Sequence, residues 1–401
     1  MGAGTAQRGA CLLISGKVRK NMEFVVFAGV LLLLFIFMIV QELIQTKNQE
    51  KLFKKYLREN YGKEPPKEYS LERFARLGSY LERHKEEKQL DDITWNDLGM
   101  DEVFRRIDRT YSAAGEEYLY YTLRNISCGR EALEHLEEVV NWLQEQENIK
   151  VRIQLLMKRL GHLGKYSLYD YLDNLDYLGE RSNRKIVLGN LLYLPFLLLL
   201  FVQPAMGTIG IVLCMLWHIM TYFREKKVIE PYIISFAYVL RLIDVCEELE
   251  KQKIPVYRRE LDELREVLKS LRELRRGAYW VMAGNQGKIG GNPLDILADY
   301  LRMILHLDIF QFNRMLEKLR KKTGQVETML AITGYLDMAI SVGGFRKSLE
   351  GYCIPKLEED TEKAFLHMKK GWHPLLSQPV KNSIRADRGI LLTGSNASGK
   401  S

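Results

Sequence analysis

The sequence predicts a mostly α-helical membrane protein. Three transmembrane helices accompany a helical core that two of them divide, and the beginning of an α/β phosphate-binding domain follows. Three observations predict this. Two apolar blocks without Asp, Glu, Lys or Arg, residues 24–40 and 186–223, are long enough for three crossings. Around them, leucines recur at helical spacing among charges of both signs. Residues 394–401 read G-x-x-x-x-G-K-S.

The 401 residues suffice for two or three domains. Apolar residues at 47% and charged residues at 27% exclude a disordered tail, a collagen-like fibre and a small disulfide scaffold. A net charge of +8 suits an anionic partner or surface, and equally a solvated basic face. Cys11, Cys128, Cys214, Cys246 and Cys353 are widely spaced, with no CxxC, which argues against a disulfide framework and a zinc site. The scattered histidines form no HExxH pair.

Phe24–Val40 runs without a polar side chain between Glu23 and Gln41. At about 1.5 Å per residue, it just crosses a hydrocarbon layer of about 30 Å. No small-residue cleavage site follows it, as a secretory signal would require. The second block divides at Gln203-Pro204 into two crossing lengths. Arg181, Arg184 and Lys185 precede it, and Arg224, Lys226 and Lys227 follow it. Positive flanks at both outer ends predict a hairpin with both ends in the cytosol. Arg8, Lys17, Arg19 and Lys20 run against the external N-terminus that this topology requires of the first span. The expected location is the cell membrane, multi-pass, with cytoplasmic helical regions.

The predicted organisation is therefore an N-terminal segment with its span (1–41), a first helical part (42–185), the hairpin (186–223), a second helical part (224–365) and the start of a P-loop domain (366–401). Leu133, Leu136, Val139, Val140 and Leu143 recur as one face of a helix. Leu261, Leu264, Val267, Leu268, Leu271 and Leu274 do so after the hairpin, as do Phe310, Phe312, Met315, Leu316 and Leu319. These rows predict packing faces and no chemistry. Gly284–Pro293 reads as a loop from its glycine and proline content.

Gly394, Ser395, Asn396, Ala397, Ser398, Gly399, Lys400 and Ser401 form the P-loop pattern, and Ile390-Leu391-Leu392 is an apolar run suited to the strand that feeds it. Backbone amides of such a loop wrap the ATP phosphates; Lys400 would reach the β- and γ-phosphates, and the Ser401 hydroxyl would ligate Mg²⁺. No catalytic residue is identified. A P-loop needs its following helix and a carboxylate-bearing strand. The chain is therefore expected to be a piece of a longer protein, itself inactive in ATP hydrolysis.

These residues resemble the MutS family of DNA mismatch-repair ATPases. Thr393–Ser401 is similar to the family's T-G-P-N-x-x-G-K-S, with Ser395 in place of proline. His373-Pro374 and Asn382 match a His-Pro and a later Asn upstream of the family P-loop. Leu336-Asp337 with Ser341, then Tyr352 with Pro355, match a Leu-Asp-x-x-x-Ser helix and a Tyr-x-x-Pro. Asp108–Gly115, with Leu119 and Leu123, is similar to an Asn-x-Thr-x-(Ser/Thr)-x-x-Gly-x-x-x-Leu-like stretch near the start of the family's helical core. The likeness covers roughly residues 90–180 and 230–401, in order. It implies a MutS-like helical core, ATP and Mg²⁺ as cofactors, DNA as partner, mismatched DNA included, and a homodimer of the full-length protein. Departures are the lack of a Phe-x-Glu wedge in residues 1–90, Pro379 where an adenine-stacking aromatic is usual, and the hairpin inside the core. An ABC-type transporter ATPase fused to a permease, or a non-catalytic membrane scaffold, are the alternatives. The basic residues form no concentrated stripe with interleaved aromatics.

Overall fold

A computed structural model describes residues 37–41, 44–63, 69, 71–86, 88–126, 129–163, 167–272, 300–358, 365–376 and 378–391. The chain divides into two compact units, Met1–Asn60 and Tyr61–Ser401. In the first, residues 37–41 and 44–60 are helical, the latter forming α1. Its exposed side is laced by the i,i+4 pairs Glu50–Lys54 (2.6 Å) and Lys55–Glu59 (3.7 Å). Most of the expected first span, 24–40, lies outside the described residues, as does the loop 284–293.

The second unit is helical until a short sheet near its end. Its helices are α2 (Leu71–Arg83), α3 (Asp92–Asp97), α4 (Met100–Ile107), α5 (Ala113–Arg124), α6 (Arg130–Glu145), α7 (Glu147–Leu160), α8 (Leu168–Asp173), α9 (Arg184–Leu191), α10 (Tyr193–Val202), α11 (Pro204–Glu250), α12 (Arg258–Leu271), α13 (Leu307–Arg320) and α14 (Thr323–Lys347). Local chemistry sets several boundaries. Ser112 caps α5 by accepting from the Gly115 amide at 3.1 Å. Ser167 and Asp170 form a reciprocal capping box on α8. In α4, Asp101 and Glu102 lie in the first turn and Arg105 and Arg106 in the last, matching the helix dipole.

Each leucine row reaches the core. Val139, Val140 and Leu143 of α6, Leu261, Leu264 and Leu271 of α12, and Phe312, Met315, Leu316 and Leu319 of α13 are buried in one cluster. A smaller cluster joins Leu77, Trp95, Phe104, Leu119, Tyr120 and Met338.

Among the described residues, three helices are long and apolar enough to cross a membrane: Arg184–Val202, Pro204–Glu230 and Thr323–Lys347. Two of them coincide with spans that the sequence marks and the third does not; the span expected at 24–40 lies mostly outside the described residues. The first two are the expected hairpin, with only 6% and 22% of their apolar windows buried. Phe201, Met206, Leu213, Trp217 and Met220 all face outward. The third is 72% buried and is the central core helix, packed on α4, α5, α6, α7, α11 and α12. Its apolar content serves protein contacts, and its Asp337 is buried among polar partners.

Two features of the hairpin are absent from the sequence reading. The first crossing is broken at Leu192 into α9 and α10. The second does not end where the apolar run ends; α11 continues unbroken for 47 residues, about 70 Å at 1.5 Å per residue. Its later half buries Ile233, Phe236, Tyr238, Leu240, Ile243, Val245 and Leu249 in the core. Charge marked the edge of the apolar segment, whereas helical periodicity ran through it.

Close helix crossings rest on small residues. A Cβ on Gly207 would lie 2.6 Å from the Leu200 amide nitrogen across the hairpin. One on Gly334 of α14 would lie 2.6 Å from the Ala114 carbonyl oxygen and 3.1 Å from Tyr118 Cβ. Gly334→Val is therefore expected to push α14 off α5 and destabilise the fold by about 3 kcal/mol. Thermal unfolding followed by helical circular dichroism checks this; an unchanged midpoint refutes the close approach.

The sheet has two antiparallel strands, β1 (Leu366–Gly371) and β2 (Asn382–Ala386), with Leu366 opposite Ala386, Met368 opposite Ile384 and Gly371 opposite Asn382. Between Met368 and Gly371 the register is irregular, and Lys370 takes a left-handed φ of 51°.

Candidate functional site

Two stretches far apart in sequence meet at one buried junction. α4 ends at Ile107, and the chain turns through residues 108–112 before α5. Asp108 closes that turn by accepting from the Thr110 amide (2.9 Å) and hydroxyl (2.6 Å), while Tyr69 donates its hydroxyl to the other oxygen. Opposite the turn lies α14. One Asp337 oxygen accepts from the Tyr111 amide (3.0 Å), the Ser112 amide (2.8 Å) and the Ser112 hydroxyl (2.6 Å). One turn further on, Ser341 accepts from the Arg109 amide and donates to the Ile107 carbonyl, both at 2.8 Å. The Asp108–Gly115 and Leu336–Ser341 motifs are thus bound together across 225 positions. Gly115 makes room: a Cβ there would sit 2.6 Å from Asp337 Cβ.

Behind the junction lies a pair of buried carboxyls. Glu116 is held by Arg73 Nε (2.7 Å) and Arg76 Nη2 (2.8 Å), with His162 Nε2 at 3.4 Å. Its neighbour Glu117 accepts from the Ser167 hydroxyl at 2.9 Å and meets no guanidinium in hydrogen-bond contact. Burial pushes Glu117 up to about 8, against the lowering effects of Ser167 and Arg76. Glu117 therefore holds its proton at neutral pH. With its carboxylates bonded to backbone amides, hydroxyls or guanidinium groups, this arrangement clamps α2, α5 and α14 together. It leaves those oxygens unavailable as general bases.

The residues matched upstream of the P-loop come together at one end of the hairpin sheet. His373-Pro374 lies in the connection leaving β1, and the His373 Nδ1 accepts weakly from the Leu375 amide at 3.4 Å. Asn382 opens β2 opposite Gly371, two positions before His373. Residues 392–401 lie outside the described residues; the phosphate contacts of Gly394–Ser401 and the Mg²⁺ ligand Ser401 are among them. Ile390 and Leu391 form no strand; they are 50% and 88% exposed. A strand exists only by pairing, and the described residues provide no partner for this run. Among the described residues, no group of three His, Cys, Asp or Glu side chains could hold a metal ion.

Sequence reasoning missed a cavity where α9, α11 and α13 meet, lined in part by Arg181, His218, Glu225 and His306. Its one sequence signal is His218, a titratable residue inside an apolar run. No family model, no curated protein and no solved structure matches the chain.

Proposed function

We propose that the protein is a membrane-anchored, nucleotide-binding member of the P-loop ATPases, of MutS-like type. The observation that carries this reading is the pattern Gly394-Ser395-Asn396-Ala397-Ser398-Gly399-Lys400-Ser401, which combines a phosphate-wrapping loop with a lysine and a hydroxyl for Mg²⁺. Two structural observations support it. The two motifs of the helical core that carry the resemblance are hydrogen-bonded to each other. His373 and Asn382, the residues matched nearest the nucleotide, share one end of one hairpin. In this reading ATP and Mg²⁺ bind at Gly394–Ser401, DNA is the polymer the helical core meets, and two full-length copies pair. The hairpin anchors the protein in the cell membrane, with Arg181, Arg184, Lys185, Arg224, Lys226 and Lys227 on the cytosolic side.

Calorimetric titration of the full-length protein with ATP–Mg²⁺ tests the nucleotide assignment. Lys400→Ala removes a charge-assisted phosphate contact and is expected to weaken binding by roughly a hundredfold or more. Equal affinity in wild type and variant refutes the assignment.

A further inference from the structure

A cavity of about 420 Å³ lies between the start of α9, the middle of α11 and the start of α13. Its position is defined by the two hairpin helices. Lys185 and Gly189 lie at the beginning of the helix Arg184–Val202, and His218 and Glu225 near the end of Pro204–Glu230. In a bilayer that holds this hairpin, the cavity stands at the cytosolic rim, at headgroup depth. Trp217, an interface-favouring residue, lines it and is 49% exposed.

The cavity carries charge of both signs. Arg181 is already occupied: it pairs with Glu225 and donates from Nε to Asn313 Oδ1 at 2.9 Å. Glu180 and Lys185, also in the lining, are exposed and form no ion pair among the described residues. A carboxylate and an ammonium with no ion pair among the described residues thus stand five positions apart in the lining. A simple anion would satisfy Lys185 and be repelled by Glu180, and a simple cation would do the reverse.

The inner wall is capable of hydrogen bonding. His218 is 1% exposed and His306 6% exposed, their rings 5.4 Å apart. His218 Nδ1 is bonded to the Cys214 carbonyl at 2.9 Å. His306 Nε2 faces the Thr221 hydroxyl at 3.4 Å, and its Nδ1 makes no hydrogen bond of standard geometry. Burial first, and then His218, hold His306 below the usual imidazole range, against the raising effect of Asp308, the Ile304 carbonyl and Glu225. Ile186, Gly189 and Trp217 give the lining an apolar side along the hairpin helices.

We propose that this cavity seats the headgroup of a phospholipid bearing both a phosphate and a primary ammonium, the phosphatidylethanolamine class. Lys185 takes the phosphate and Glu180 the ammonium. The His306 imidazole supplies a further hydrogen bond from within, and the glycerol and acyl chains follow Ile186 and Trp217 toward the bilayer. The proposal rests on membrane insertion of the hairpin, and its test separates the two.

The full-length protein is reconstituted into nanodiscs of equimolar phosphatidylcholine and phosphatidylethanolamine, and in parallel of phosphatidylcholine and phosphatidylglycerol. Lipids retained after mild detergent extraction are then counted by native mass spectrometry. Phosphatidylethanolamine is expected to be retained preferentially over both other lipids. Glu180→Gln should lower its retention about tenfold, the loss of one charge-assisted hydrogen bond, without raising that of phosphatidylglycerol above it. Lys185→Gln should lower retention of both phosphatidylethanolamine and phosphatidylglycerol. Both side chains are exposed, so neither variant threatens folding. Incorporation without lipid preference, preference for phosphatidylglycerol, or retention unaffected by both variants overturns the headgroup assignment alone. Recovery of the protein in the soluble fraction of a detergent-free lysate overturns the membrane reading, and the lipid site with it.

Discussion

Asp337→Ala is expected to cost about 3–5 kcal/mol of stability, enough to unfold a helical core of ordinary marginal stability. The carboxylate is 1% exposed and accepts from two backbone amides and one hydroxyl on the turn before α5. Alanine leaves those donors buried without acceptors, each costing about 1–3 kcal/mol, and opens space where Gly115 had been kept bare to admit the side chain. Asp337→Asn should fall between the two. It keeps one acceptor oxygen but turns an N–H₂ toward other donors. Urea unfolding in a fixed detergent, followed by circular dichroism, measures both. A midpoint for the alanine variant within experimental error of wild type would show that the two motifs are not held together by this group.

Glu117→Gln should change how stability depends on pH. Its carboxyl titrates near 8 in the folded chain, against the ordinary 4.5 of an exposed glutamate. Between those values the folded chain holds the proton more tightly than the unfolded one. Unfolding free energy therefore falls as pH rises through that window. The contribution is complete below about 4.5 and gone above about 8. At roughly 1.4 kcal/mol per unit, the swing is about 5 kcal/mol. Glutamine has the same shape, carries no proton to lose and can still accept from Ser167. The variant should show a flatter profile than wild type and be the more stable of the two on the alkaline side. Melting temperatures collected on both sides of the window decide it; parallel profiles would mean that Glu117 is ionised in the fold.

Much of the architecture was legible because it follows local period and composition. The rows on α6, α12 and α13 announce a buried face, since apolar spacing of three to four positions has few other uses. The hairpin is equally plain, because its two helices are apolar nearly all round, the composition that contact with lipid favours. What stayed hidden depends on contacts distant in sequence. Nothing in the spacing of Asp337 or Ser112 says that they meet, and a buried charge reads the same as an exposed one until its partners are known. Thr323–Lys347 shows the converse: its composition suits lipid, and only its neighbours reveal a core helix. The continuation of α11 past Phe223 was missed because the change from apolar to charged residues marks a change of surroundings without breaking the helix. At the P-loop, the motif is explicit in the letters, while the geometry that would give it meaning lies outside the described residues.

The unbroken course of α11 has one further consequence. In the proposed membrane setting its first part would lie in lipid, while its later half is fixed in the packed core, so one helix couples the two. A bilayer too thin or too thick for the hairpin costs fractions of a kcal/mol per Å of mismatch. Here that cost cannot be absorbed by tilting the hairpin alone. It is shared with the packing around Phe236, Tyr238 and Ile243. With the hairpin inserted as proposed, membrane thickness thereby becomes a thermodynamic variable of the packed helical core, and lipid chain length should shift its melting temperature as a solute would.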